Sequence, residues 1–180
     1  MVLRAKKKGA LVARVGLSGS GKSTTARSLA AQAQAVHLRS DAIRKHIAGV
    51  PLYEKGGDEI YTAAMSDRTY ERLIELGGRL ASNGYRVILD AKFDRRAKRQ
   101  AVIATAKTKN LNLTFLHCTA PIAVLAARLN DRQGDIADAN TAILAKQSLE
   151  PFDPATPVIT LDTTQATADI QQQLARVFLA

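Results

Sequence analysis

Gly16-Leu17-Ser18-Gly19-Ser20-Gly21-Lys22-Ser23 decides how this chain reads. It fits G-x-x-x-x-G-K-[ST], the phosphate-binding P-loop or Walker A pattern. Each residue type answers a need of polyphosphate. Glycines let the backbone close around an anion, having no Cβ and ready access to positive φ. The N–H groups then point inward as a nest, and the helix that follows adds the positive end of its dipole. On this reading Gly16, Ser18, Gly19, Ser20 and Gly21 form the cradle, and Thr24 enters the helix behind it. Lys22 reaches the β- and γ-phosphates, and Ser23 offers its hydroxyl to Mg²⁺. ATP and Mg²⁺ are the expected cofactors.

The flanks agree with the loop. Leu11 to Val15 reads as a short buried strand, and Thr24 to Ala35 as a helix rich in Ala, Leu and Gln. Further strands are expected at Val36–Arg39, Arg86–Asp90, Leu113–Cys118 and Val158–Leu161. Between them lie a short helix from Ala42 to Ile47 and a breaker-rich loop from Gly49 to Asp58. A helical region begins around Glu59; there Tyr70, Leu73, Gly77 and Leu80 share one face, and Asn83-Gly84 stops it. Arg95 to about Lys109 forms the next helix, with Asp94 as its cap. Pro121 starts another that ends near Arg132; Thr141–Leu149 and Ala166–Phe178 are helical again. This alternation predicts an α/β chain, the three-layer P-loop nucleoside-triphosphate hydrolase/kinase fold. Its core is a five-stranded parallel sheet with helices on both faces. Residues 1–9 read as a basic arm, 10–180 as a single domain, and about 131–140 as a lid.

Composition sets outer bounds. At 180 residues, 46% hydrophobic and 23% charged, the chain is an ordinary soluble globular one with a core of its own. No apolar run approaches a membrane span, and the first residues show no signal-peptide core. The single cysteine, Cys118, has no internal disulfide partner, which fits a reducing cytoplasmic setting. The net charge of +10 attracts anions and keeps nucleic acid open as a partner, although stacking aromatics are few.

In such sheets ligands bind beyond the carboxyl ends of the strands, and Asp41, Asp90 and the P-loop each follow a strand. Asp41 there can position and deprotonate an acceptor hydroxyl, with Arg44 one helical turn on to hold substrate. The alternative to this role is a helix N-cap, which Ser40 or Asp41 would supply; position after a strand in a P-loop fold favours the role in catalysis. Asp90 ends an apolar strand as a Walker B carboxylate does, supporting Mg²⁺, and Lys92 next to it is a partner or a phosphate contact. Arg95, Arg96, Lys98 and Arg99 crowd the first turn of a helix, against its dipole. They imply either a nearby anion or a solvated basic face. Arg128 and Arg132 sit on one helix face before the lid, placed to meet charge on the transferred group or to pair with Asp131 and Asp135. His37, His46 and His117 show no metal spacing, and Cys118 reads as packing. Asp131-Arg132-Gln133-Gly134 and Ala91-Lys92-Phe93-Asp94 approach GTPase motifs, but their order is reversed and the second lacks its asparagine.

These residues carry a resemblance. Gly16 to Thr24, Ser40-Asp41-Ala42-Ile43-Arg44-Lys45 and Val87-Ile88-Leu89-Asp90-Ala91 resemble small P-loop kinases grouped with AAA-type ATPases. Some of those are fused behind aminoglycoside-phosphotransferase-like domains. Arg128 to Arg132 and Asp135 to Ala139 extend the likeness to the lid. The D-x-x-R of Asp41 and Arg44 also resembles phage polynucleotide kinase, and the aspartate that of chloramphenicol phosphotransferase. The resemblance implies that Asp41 is the base for the acceptor hydroxyl. Leu17-Ser18-Gly19 is similar to adenylylsulfate kinases, without their arginine-asparagine substrate motif. Lys92 departs from the small hydroxyl residue that the group often has after D-A. The expectation is an ATP-dependent kinase for a hydroxyl on an unidentified small molecule. A polynucleotide 5′-hydroxyl kinase and a nucleotide-binding regulatory switch are the alternatives.

Overall fold

Strand segments of this chain are apolar on both faces, so each must be covered from two sides. A computed structural model describes residues 9–54, 56–131, 144 and 147–178. Five parallel strands form one sheet in the order β2-β3-β1-β4-β5. They are β1 (Ala10–Val15), β2 (Val36–Arg39), β3 (Arg86–Asp90), β4 (Asn112–Thr119) and β5 (Val158–Asp162). The helices are α1 (Lys22–Ala33), α2 (Ser40–Ala48), α3 (Ala63–Ser82), α4 (Arg96–Thr108), α5 (Ile122–Asn130) and α6 (Thr167–Arg176). Among the described residues no helix is long and apolar enough to cross a membrane.

Alternation along the strands divides the core. Leu11, Ala13 and Val15 face one side with Val87, Leu89 and Phe115, packed by Leu73 of α3, Val102 of α4 and Ile43 of α2. Val12, Ile88, Leu116 and Cys118 face the other, under Ala26 and Leu29 of α1 and Leu174 of α6. The three-layer expectation is met.

Helix starts show where local reading stopped short. The helical region expected from Glu59 is a 3₁₀ turn (Asp58–Tyr61) followed by α3, whose first turn is capped by Thr62 Oγ1 accepting from Met65 N–H at 3.2 Å. Asp94 does not cap α4. The N-cap position is Arg95, which supplies no side-chain bond, and the Arg96 N–H instead donates to a Glu150 carboxylate oxygen. The expected basic arm over residues 1–9 lies outside the described residues except for Gly9. The lid at about 131–140 does so except for Asp131, and Arg132 is outside with it.

Candidate active site

The register of three strands lays out the site. β1 and β3 pair as far as Ala13 and Leu89, so Arg14 and Asp90 are opposite at the next step, while β3 and β2 pair Asp90 with Arg39. Two residues beyond that row the P-loop begins at Gly16 on one side, and Asp41 stands on the other. One strand separates them, roughly 10 Å at two strand spacings. Phosphate cradle and carboxylate are therefore neighbours across the end of β3.

The loop has the conformation the motif requires. Gly16, Gly19 and Gly21 have φ of 150, 80 and 75°. A Cβ on Gly16 would lie 2.5 Å from the Cys118 carbonyl oxygen, and one on Gly19 2.7 Å from that of Leu125. Both positions need glycine for space as well as for φ. α1 then starts at Lys22 with no side-chain cap, leaving its positive end open to an anion. Ser23 and Thr24 are exposed in its first turn. Lys22 Nζ folds back to donate to the Leu17 carbonyl. Ser20 Oγ is buried without a hydrogen-bond partner among the described residues.

Contacts from distant segments brace the loop. Gln147 accepts from Ser18 N–H at 2.8 Å and donates to Ser18 Oγ at 2.7 Å. Arg128 donates to the Gly19 carbonyl at 3.4 Å and to Thr163 Oγ1 and O, both at 2.8 Å. Arg128 is thus set against the loop and the turn after β5, rather than paired with Asp131. A cavity of about 410 Å³ opens here, between Gly19, Gly21, Thr24, Arg128, Thr163 and Ile170. Its size and position next to the loop suit a nucleoside.

Asp90 does not stand alone at the strand end. Arg14, 1% exposed, donates through Nη2 to Asp90 Oδ1, and His37 Nε2 lies 2.7 Å from Oδ2. Against a carboxylate, Nε2 must carry the proton. Burial lowers the Arg14 pKa to about 10, still charged at neutral pH. Burial, with Arg14, Arg39 and Arg27 nearby, pushes His37 down to about 4, so it is the neutral imidazole. Arg14 and His37 were absent from the expected site. Their signal was a lone arginine inside an apolar strand, which demands a buried partner.

Asp41 occupies the first turn of α2, 46% exposed, with one long ion pair to Arg39 at 3.7 Å. No side-chain bond caps α2. Asp41 lines a second cavity of about 490 Å³ with Arg44, Tyr61, Lys92, Asp94 and Lys98. Its wall from β3 to α4 is held by Phe93, whose φ of 46° is strained for a bulky residue. The buried Phe93 ring meets Tyr70 edge-on at 5.3 Å and Phe115 at 6.5 Å, and Lys92 before it is exposed.

The basic cluster at the start of α4 divides. Arg99 is buried and donates to four carbonyls, of Phe93, Asp94, Glu150 and Pro151, at 2.6 to 3.0 Å. Arg96 pairs with Asp153 at 2.6 Å. Both act on the fold. Only Arg95 and Lys98 border the Asp41 cavity. Cys118 is core packing, its thiol pushed up by burial.

Comparison with known proteins gives this geometry a family. A family model described as AAA domain matches residues 11–152. An uncharacterised protein of Mycobacterium tuberculosis (strain ATCC 25618 / H37Rv) is 28% identical over 134 residues, 72% of this chain. The chain spans 27% of that relative's length. Among solved structures it is similar to an unliganded sugar kinase from Janibacter sp. HTCC2649, at 23% identity and TM-score 0.69, over 95% of this chain and 94% of that one. A gluconokinase from Sinorhizobium meliloti 1021 gives 22% and 0.66, over 97% and 94%. The APS kinase of Mycobacterium tuberculosis in complex with AMPPNP and APS gives 18% and 0.69, over 97% and 99%. With the matched region running from β1 to beyond α5, this chain belongs to the AAA domain family and has the fold of the small P-loop kinases.

Proposed function

We propose that this chain is an ATP-dependent kinase that transfers the γ-phosphate to a hydroxyl of a small molecule. One observation carries the reading: an uncapped P-loop helix beside a nucleoside-sized cavity, and a separate cavity holding Asp41 one strand away. Two sites across the end of β3 suit a donor and an acceptor meeting at the γ-phosphate. The kinases named above share this fold, which supports the class of chemistry.

In this reading the N–H groups of Gly19 to Ser23 hold the polyphosphate and Lys22 turns from Leu17 to the β- and γ-phosphates. Asp41 orients the acceptor hydroxyl and takes its proton, and Arg44 holds substrate beside it. Arg128 keeps the loop and the nucleoside cavity in register; Arg132, on the segment leading into the expected lid, would meet charge on the transferred group. Mg²⁺ fits the donor set in part. Among the described residues no three His, Cys, Asp or Glu side chains gather to cage an ion, which fits a Mg²⁺ held mainly by phosphate oxygens and its own water. Ser23 is open to it. Asp90, with both oxygens hydrogen-bonded to protein groups, fits a contact through the ion's water shell. When bound, the ion would neutralise charge on the β- and γ-phosphates.

The test is transfer of label from [γ-³²P]ATP with Mg²⁺ to a panel of small hydroxyl compounds and 5′-hydroxyl oligonucleotides, with Lys22→Ala as control. Label on a small molecule, lost in the control, is the expected result. Label confined to oligonucleotides would replace the reading with a polynucleotide kinase. ATP bound but no acceptor labelled would favour a nucleotide-dependent switch. Asp41→Asn should lower turnover on the order of 10²–10⁴-fold at nearly unchanged ATP affinity; full activity would remove Asp41 as base.

A further inference from the structure

Resting on that kinase reading, we infer that the acceptor is a hydroxyl compound that also carries an anionic group, a carboxylate or a phosphate ester. The Asp41 cavity shows two chemistries at once. Two of its cations are already neutralised: Lys98 pairs with Asp67 and lies 4.8 Å over the Tyr70 ring, and Arg95 pairs with Glu150 at 3.3 Å. The other two are not. Among the described residues neither Arg44 nor Lys92 has a carboxylate within ion-pair distance. Arg44 gives one N–H to the Ile60 carbonyl at 3.0 Å and stands 5.4 Å over the Tyr61 ring. That leaves donors of its fork facing the cavity it lines. Lys92 comes from β3's side, on the loop that buried Phe93 holds in its strained turn.

The carboxylates complete the pattern. Asp41 is committed only to the long Arg39 contact, and Asp94 makes no side-chain ion pair among the described residues. Carboxylates accept hydrogen bonds from hydroxyls, and unpartnered cations take an anion. A neutral polyol would give Asp41 and Asp94 hydroxyls to accept from and leave Arg44 and Lys92 without an anionic ligand group. A hydroxy acid or a sugar phosphate satisfies both halves, and about 490 Å³ holds a compound of that size.

The experiment uses matched pairs differing only in charge: D-gluconate and sorbitol, D-glycerate and glycerol, ribose 5-phosphate and ribose. kcat/KM for phosphorylation is measured with the full chain, Lys92→Met and Lys92→Arg, and equilibrium binding of each compound is measured with the chain loaded with AMPPNP. The anionic twin should be favoured at least about tenfold, the scale of one charge-assisted contact. Carboxylate and phosphate arms identify which anion it is. Lys92→Met should raise KM for the anionic twin about tenfold more than for its neutral twin, and Lys92→Arg should restore the difference. Neutral twins that serve as well, or a Lys92→Met loss equal for both twins, would overturn the inference. If nothing is phosphorylated, binding decides. An anionic preference lost in Lys92→Met keeps the cavity as a site for hydroxylated anions while the kinase reading falls, and no preference removes both.

Discussion

At the scale of single residues, the pairing of Arg14 with Asp90 governs the end of β3. A guanidinium 1% exposed beside a carboxylate costs desolvation on both sides, and their attraction offsets it only while both are present. Removing one partner strands the other. Arg14→Met should therefore lower stability by roughly 3 kcal/mol, read as a shifted urea midpoint at unchanged slope. A loss within 0.5 kcal/mol, the scale of a surface change, would mean that Asp90 is not stranded when Arg14 is removed. Among the described residues two Arg14 donors, Nε and Nη1, are buried without partners, so methionine also removes an existing cost there, which offsets part of the loss from stranding Asp90. The carboxylate was legible as a strand-end acid following apolar residues. Its partners were not, because the sheet order that brings β1, β3 and β2 side by side lies in no local pattern.

At the scale of elements, Arg99 is the buried one among several side chains that tie α4 to the segment before β5. Arg99 reaches the Phe93 and Asp94 carbonyls on one side and those of Glu150 and Pro151 on the other, and stacks 4.6 Å over the Phe152 ring. Lysine has a single point charge, three donors and no planar fork, so it cannot hold four carbonyls in two directions. Arg99→Lys should cost about 2 kcal/mol from buried acceptors left unpaired. It should also raise KM for the acceptor more than KM for ATP, since Asp94 and Arg95 border the acceptor cavity and the P-loop is elsewhere. An equal rise in both would show that the effect is not confined to the acceptor wall, and a fall in kcat with both KM values unchanged would show loss of folded enzyme. Strands, helices and their parallel assembly were readable because periodicity and the P-loop are local signals. The ties that finish the site are not local. Glu150 caps α4 from 54 residues away, and Gln147 grips Ser18 from 129 away. Both are ordinary polar residues in sequence, and only the folded chain brings them to their partners. For the same reason four clustered cations read alike at the start of α4, while the fold gives two of them structural work.

At the scale of the whole molecule, acid acts on two separate reservoirs of charge. The chain carries +10 at pH 7, and each carboxylate protonated adds to that repulsion at the surface. Inside, His37 is held at about 4 by burial and by Arg14, Arg39 and Arg27, and His117 is also lowered, by burial and then Arg99. A histidine lowered in the folded state binds its proton later than the unfolded chain does. Its contribution is complete above the unfolded value near 6.5 and is lost as pH falls from there toward about 4. Between pH 7.5 and 5.0 His37 alone should cost about 2 kcal/mol, and His117 acts in the same direction. For a chain of this size that is a fall in Tm of about 4–8 °C. Salt separates the two reservoirs, since surface repulsion is screened at 0.5 M NaCl and a buried imidazole is not. The measurement is thermal and urea unfolding at both pH values in high salt, with wild type and His37→Gln, whose amide keeps a donor for Asp90. The variant should lose clearly less stability on acidification than wild type. Identical losses would place the acid sensitivity outside His37, and a loss abolished by salt would place it at the surface.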